Sequence, residues 1–397
     1  MEFAITKAMF GTRELYRLND AVVFGEQEAQ DKRAKLLPLL AADLRKEPIE
    51  SWKASDNLFA LLSYTLSGGD PSVLRGILIR RGIHEKHIGL ATWVLAFTER
   101  RADGMRPEPR QFEISFYPNE FGSALLLARA STLASGNPAG ALVDLELVQL
   151  LAPGAQREES ALRLQASVLV AMGNLPGALR TALRYLRRFP HSLYARLFIV
   201  RLASELAASP AGNSPELVEI LGKGVGTIGE DSARLMLQAL GRIAIAYGRL
   251  KLAFASGSAL VELSEPASQY HDQGRMIRLV AMAPLGPAEE AHAGLKLLVK
   301  PNYSIEDQEL IAAATDIASQ ISARRTGAGS KAAMRDAPRT GVPAANKNEP
   351  PSTEDAKLPM EPAPTAQPGP MHPMALQSRL QAALKAADVA IRKNGDR

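Results

Sequence analysis

His84 and His87, in the string His84-Glu-Lys-His87, are the pair in this chain that comes nearest to metal-site spacing. Donors at i and i+3 on one helix face can share a cation, but a stable site needs at least a third ligand. None follows nearby, and the order is not the His-Glu-x-x-His of metalloproteases. His191, His271, His292 and His372 stand apart, without acidic companions at ligand spacing. His271-Asp272 reads as a charged turn, because no serine in a Gly-x-Ser-x-Gly elbow accompanies it as nucleophile. A metal-binding hydrolase built on His84 and His87 is thus the lesser alternative. The expectation is no catalytic residue, no bound metal, no cofactor and no small-molecule substrate.

Two glycine-rich stretches could suggest phosphate binding. Ser67-Gly-Gly-Asp-Pro71 lacks the Gly-Lys-Ser/Thr of a phosphate loop and reads as a turn that starts a helix. Ser67 or Asp70 would cap that helix, with Pro71 in its first turn. Gly222-Lys-Gly-Val-Gly226 has no preceding strand and reads as a loop between repeats. The densest basic stripe is Arg180, Arg184, Arg187 and Arg188, interleaved with Tyr185 and followed by Tyr194; the four arginines share one helix face. A planar guanidinium fork suits paired carboxylates. Arg180, Arg184, Tyr185, Arg187 and Arg188 are therefore the candidate partner-binding residues, set against the plainer reading of a solvated helix face. Confinement to one helix argues against nucleic acid.

The elements that must position these residues are helices. The chain has 397 residues, 46% hydrophobic and only 5% aromatic, and abundant Ala and Leu lean towards an all-α fold. Between residues 12 and 322 apolar positions recur at i, i+3 and i+4 with breaks at Gly, Pro and Asn. Arg110–Tyr117 is the exception: Phe112, Ile114 and Phe116 alternate with polar neighbours, which suggests a short extended linker. The absence of cysteine removes disulfide scaffolds, thiolate metal sites and thiol catalysis. A net charge of +5 is a mild excess, weak support for an anionic partner. No apolar run is long enough to cross a membrane.

An internal repeat organises the middle. Gly136-Asn-Pro-Ala-Gly-Ala-Leu142 and Gly173-Asn-Leu-Pro-Gly-Ala-Leu179 share Gly-Asn-x-x-Gly-Ala-Leu 37 residues apart, and Pro153 and Pro190 keep the same spacing. Gly248 and Pro266 mark a third unit, and Gly69-Asp-Pro71 a looser earlier copy. Each unit is a helix, a tight turn, a second helix and a proline stop. The expectation is an all-α solenoid of tetratricopeptide-like helix pairs with a disordered Pro-rich C-terminal tail. The boundaries are an N-terminal helical region at 1–109, the repeat region at 118–322, a linker at 323–375 and an amphipathic helix at 376–393. The linker holds ten of the 26 prolines, and Leu376, Leu380, Leu384, Ala387 and Ile391 carry the period of the last helix.

Three separated strings resemble the rhizobial-type chemotaxis and motility protein MotC family. They are Tyr64-Thr-Leu-Ser-Gly-Gly-Asp-Pro71; Leu150-Leu-Ala-Pro-Gly154 with Glu158-Glu-Ser-Ala-Leu-Arg163; and Tyr185-Leu-Arg-Arg-Phe-Pro190 with Ser192, Tyr194, Ala195 and Phe198. The resemblance implies a non-enzymatic periplasmic accessory of the flagellar motor, required for rotation, that binds the periplasmic part of the stator protein MotB. It also implies export behind an N-terminal signal, whereas Met1–Phe10 shows no basic region or apolar core. The alternatives are a start downstream of the true one, a trimmed chain, or a copy that is not exported. The rival reading is a cytosolic tetratricopeptide-like adaptor unrelated to motility.

Overall fold

The structure is a computed structural model that describes residues 7–99, 107–298 and 303–333. The chain divides into one compact unit, Met1–Asp336, and a second, Ala337–Arg397, whose residues lie outside those described. The expected amphipathic helix at 376–393 and the expected linker from 334 onwards lie outside the described residues. Among the described residues every regular element is an α-helix or a short 3-10 turn. The first five helices are α1 (Lys7–Val23), α2 (Gln27–Lys46), α3 (Ser55–Leu66), α4 (Pro71–Ile79) and α5 (Glu85–Thr98). Then come α6 (Asn119–Leu133), α7 (Pro138–Leu151), α8 (Gln156–Ala171), α9 (Leu175–Arg188), α10 (Ala195–Ala208) and α11 (Pro215–Gly224). The last are α12 (Glu230–Ala246), α13 (Leu250–Glu262), α14 (Gln269–Leu285), α15 (Ala288–Lys296) and α16 (Ile305–Ala333).

The repeated string has a structural reason at each position. Asn137 and Asn174 are N-caps whose side chains accept from the backbone N–H of Gly140 and Gly177 at 3.0 and 2.9 Å, satisfying one of the donors that a helix start leaves open. A Cβ on either glycine would lie 2.7 Å from the capping carboxamide nitrogen. Ala141 and Ala178 are fully buried where the pair packs closely. Gly173 ends α8 at φ +77°, a conformation that disfavours a Cβ. In the third unit Gly248 keeps the positive φ (+67°), but Arg249 supplies no side-chain cap. The earlier copy is capped by Asp70, whose carboxylate accepts from Ser72 N–H at 2.9 Å with Pro71 following.

Hydrophobic packing is passed along the chain. Phe121 and Leu125 of α6 join the N-terminal core around Trp52, Tyr64 and Trp93, whereas Leu126 and Ala130 of the same helix face Leu145 and Val148 of α7. Likewise Ala161 and Val168 of α8 look back to α7, and Leu162 and Ala166 look forward to α9. α6 and α8 thus each have two apolar faces and cannot bury both with a single neighbour.

The amino-terminal helices break this one-dimensional order. Val23 joins the core of α8 to α10, and Leu18 and Val22 pack on Leu193 and Tyr194. Ala155, the N-cap of α8, has no side-chain cap; Asp20 instead accepts from Gln156 N–H at 2.8 Å across 136 residues. Gly25, at φ +92°, passes so close to His191 that a Cβ would sit 2.7 Å from its carbonyl oxygen.

Arg110–Tyr117, expected as a short extended linker, leads into α6 as an irregular stretch that turns as a 3-10 helix at Ile114–Phe116. Phe116 is 77% exposed there, and Tyr117 takes the inward position against Phe59 and Phe121. Gly222–Gly226 is not a loop between repeats but the end of α11 and the start of a 3-10 turn. Leu217, Leu221 and Val225 stay buried along it, and Gly224 lets Leu183 approach. Finally, α16 runs to Ala333, past the expected boundary at 322; no proline interrupts it before Pro338.

Candidate functional site

The sequence-predicted chemistry separates in space. His84 is the N-cap of α5, its Nδ1 accepting from Lys86 N–H at 3.4 Å. His87 instead turns to Ser55, with Nε2 3.3 Å from Oγ, and its ring meets Phe59 edge-on at 5.5 Å. Burial holds the His87 imidazole below its ordinary pKa, helped by the neighbouring Lys86 and His84 side chains. Among the described residues no group of three His, Asp or Glu side chains could hold a metal ion. His271-Asp272 lies in the first turn of α14, behind the Ser268 cap, not in a free turn.

The basic stripe lies on α9. Arg180, Arg184, Arg187 and Arg188 are all exposed. Arg188 pairs with buried Glu158, and Arg180 approaches Glu216 at 3.7 Å. Arg184 and Arg187 have no carboxylate partner among the described residues. Tyr185 is corrected as a candidate surface residue: it is fully buried, with its ring against Phe198 at 4.8 Å. The signal was present in the period, since Tyr185 follows Ala178 and Ala182 on the apolar face of α9.

A site the sequence reading missed is a cleft of about 560 Å³ lined by the first helices of successive pairs, α6, α8 and α10, together with α1, α2, the end of α3 and Phe97 of α5. No residue of α9 lines it, so the stripe and the cleft belong to different surfaces. Arg33, Arg157, Arg163 and Arg201 border it, and no Asp or Glu does. Arg33 donates to Asn19 Oδ1 at 2.7 Å and to the Ser67 carbonyl at 2.9 Å, both neutral acceptors. Arg157 is 8% exposed and lies over the Tyr16 ring at 4.1 Å. Arg163 and Arg201 are neutralised by Glu159 and Glu205. Asp20, the acid whose field reaches Arg157, directs Oδ1 to Gln156 N–H, and burial raises its carboxyl above the usual range.

The three strings that carried the resemblance meet at this cleft. Ser67 and Gly68 come from the first, Ser160 and Arg163 from the second, Tyr194 and Phe198 from the third. The arrangement suits recognition by charge and shape.

A family model described as Chemotaxis protein MotC matches residues 11–396. The Chemotaxis protein MotC of Rhizobium meliloti (strain 1021) is 26% identical over 345 residues, covering 85% of this chain and 77% of that protein. No solved structure matches. With the family model spanning the repeat region and the cleft alike, the chain belongs to the MotC chemotaxis protein family.

Proposed function

We propose that this protein is a non-enzymatic periplasmic accessory of the flagellar motor that binds the periplasmic part of the stator protein MotB. Tetratricopeptide-like helix pairs, stacked as a solenoid, supply the scaffold, and the α9 stripe supplies a contact surface. The family membership supports the motor role. The observation that carries the contact is the pair Arg184 and Arg187, exposed and free of carboxylate partners among the described residues while the apolar face of the same helix is buried. Two such guanidinium groups, one turn apart, match two carboxylates of a partner.

Calorimetric titration of the full chain with the periplasmic domain of MotB tests this. Saturable binding is expected, weakened about tenfold or more by Arg184→Glu with Arg187→Glu, at an unchanged melting temperature. Arg188 is unsuited to the test because its loss would strand buried Glu158. Absence of binding overturns the partner; unchanged affinity of the double variant overturns the surface.

A further inference from the structure

We propose that the cleft between α1, α2, α6, α8 and α10 is a second binding site, a receptor for an extended acidic segment of a partner protein whose side chains alternate between carboxylate and apolar. Charge is the first argument. The lining carries four arginines and no acid, and after Glu159 and Glu205 are matched to Arg163 and Arg201, the guanidinium groups of Arg33 and Arg157 have no carboxylate within ion-pair distance among the described residues. Arg157, at 8% exposed, has the largest cost of carrying a charge out of water. The field of Asp20 and the Tyr16 ring offset part of that cost, and an incoming carboxylate would offset more.

Placement is the second argument. The two unmatched guanidinium groups come from different elements, Arg33 from α2 and Arg157 from α8, and both border the same opening. A segment that carries more than one carboxylate can address both, with alternate side chains on one face of an extended chain. Apolarity is the third. Leu66, Phe97, Leu164 and Leu197 line the same space, and Leu197 is 53% exposed. A purely inorganic anion would leave these walls wet. A volume of 560 Å³ falls within the roughly 300–1,000 Å³ of sites that hold a compact ligand. The proposal concerns a surface separate from the α9 stripe and does not depend on the stator being the partner.

The test uses the full chain and a fluorescein-labelled peptide of alternating Glu and Leu, capped at both ends, read by anisotropy. Saturable binding is expected, falling as salt rises from about 50 to 500 mM, with the Lys-Leu counterpart inert. Leu197→Glu places a like charge in the cleft at a half-exposed position, and with Arg157→Gln it should weaken binding about tenfold or more. Arg184→Glu on α9 should leave peptide binding unchanged. Circular dichroism of each variant verifies the fold, and Leu197→Glu keeps the test decisive if Arg157→Gln unfolds. Failure of the peptide to bind, binding indifferent to Leu197→Glu, or equal displacement by inorganic phosphate at matched charge would each overturn the proposal. The last outcome would make the cleft a simple anion site. Because the probe is synthetic, these failures are distinct from failure of the stator titration.

Discussion

The hydroxyl of Tyr185 donates to Glu159 Oε1 at 2.9 Å, with both residues fully buried. The same oxygen accepts from Ser192 Oγ at 3.1 Å and Arg163 Nε at 2.8 Å. Arg163 then lies over the Tyr194 ring at 4.8 Å and borders the cleft. One carboxylate therefore joins α8, α9 and the segment leading into α10. A charge so placed persists only because every donor around it is supplied. The strings around Glu158–Arg163 and Tyr185–Phe198, far apart in the chain, are two halves of this network.

Removing one donor at a time should rank the network. Tyr185→Phe leaves Glu159 with one fewer hydrogen bond and should cost about 1–3 kcal/mol. Arg163→Met leaves the buried carboxylate without its cation and should cost about 3–5 kcal/mol. Urea unfolding of each variant supplies the measurement, and equal costs would show that the arginine contributes no more than a neutral donor.

Glycines in superficially similar turns should respond differently to alanine. Gly69→Ala would place a Cβ 2.4 Å from the Tyr64 ring. That ring cannot yield freely, since its hydroxyl accepts from Asp70 N–H at 2.8 Å and donates to the Leu37 carbonyl at 3.3 Å. A loss of about 1–3 kcal/mol is expected. Gly173→Ala meets no atom within 4 Å but has φ +77°, so about 1–2 kcal/mol is expected from backbone strain. Gly136→Ala meets neither obstacle and should be tolerated. Thermal denaturation of the three variants orders them.

Asp20→Ala should loosen the amino-terminal hairpin from the repeats. Asp20 serves as the missing cap of α8 through Gln156 N–H, and its loss should cost about 0.5–2 kcal/mol, the range for helix caps. Hydrogen exchange should accelerate in α1 and at the start of α8 while α12 to α14 keep their protection. Uniform acceleration throughout would contradict a local tie.

Alkaline pH should expose the buried tyrosines. Burial first, and the charge of Asp272 second, push the Tyr303 hydroxyl up to about 12. Burial, followed by the charge of Glu159, drives Tyr185 in the same direction. A raised folded pKa means that the neutral form is favoured in the native state. This stability is fully present below the unfolded value of about 10 and is lost as pH rises through the folded value. Urea unfolding should show a decline starting near pH 10, and Tyr303→Phe should flatten it. Tyrosinate absorbance in the native protein should lag behind that of the unfolded chain.

Local order was legible because local forces set it. The 3.6-residue period marked the helices, and Asn137, Asn174 and Asp70 declared their caps through side chains that reach only two or three residues. The same period contained the burial of Tyr185, which its arginine neighbours obscured. The cleft was not legible. Its arginines sit on α2, α8 and α10, and nothing near Arg157 in the chain announces Tyr16 or Asp20. Composition and periodicity by themselves determined an all-α protein of repeated helix pairs in its middle. Only the tertiary structure decided that α1 folds back across 136 residues to cap α8 and that Tyr185 lies inside. It alone gathered Arg33, Arg157, Arg163 and Arg201 at one opening. The reason is physical: a cap or a turn is a contact between neighbours in sequence, whereas a cleft forms where remote apolar faces finish packing and leave their polar edges together.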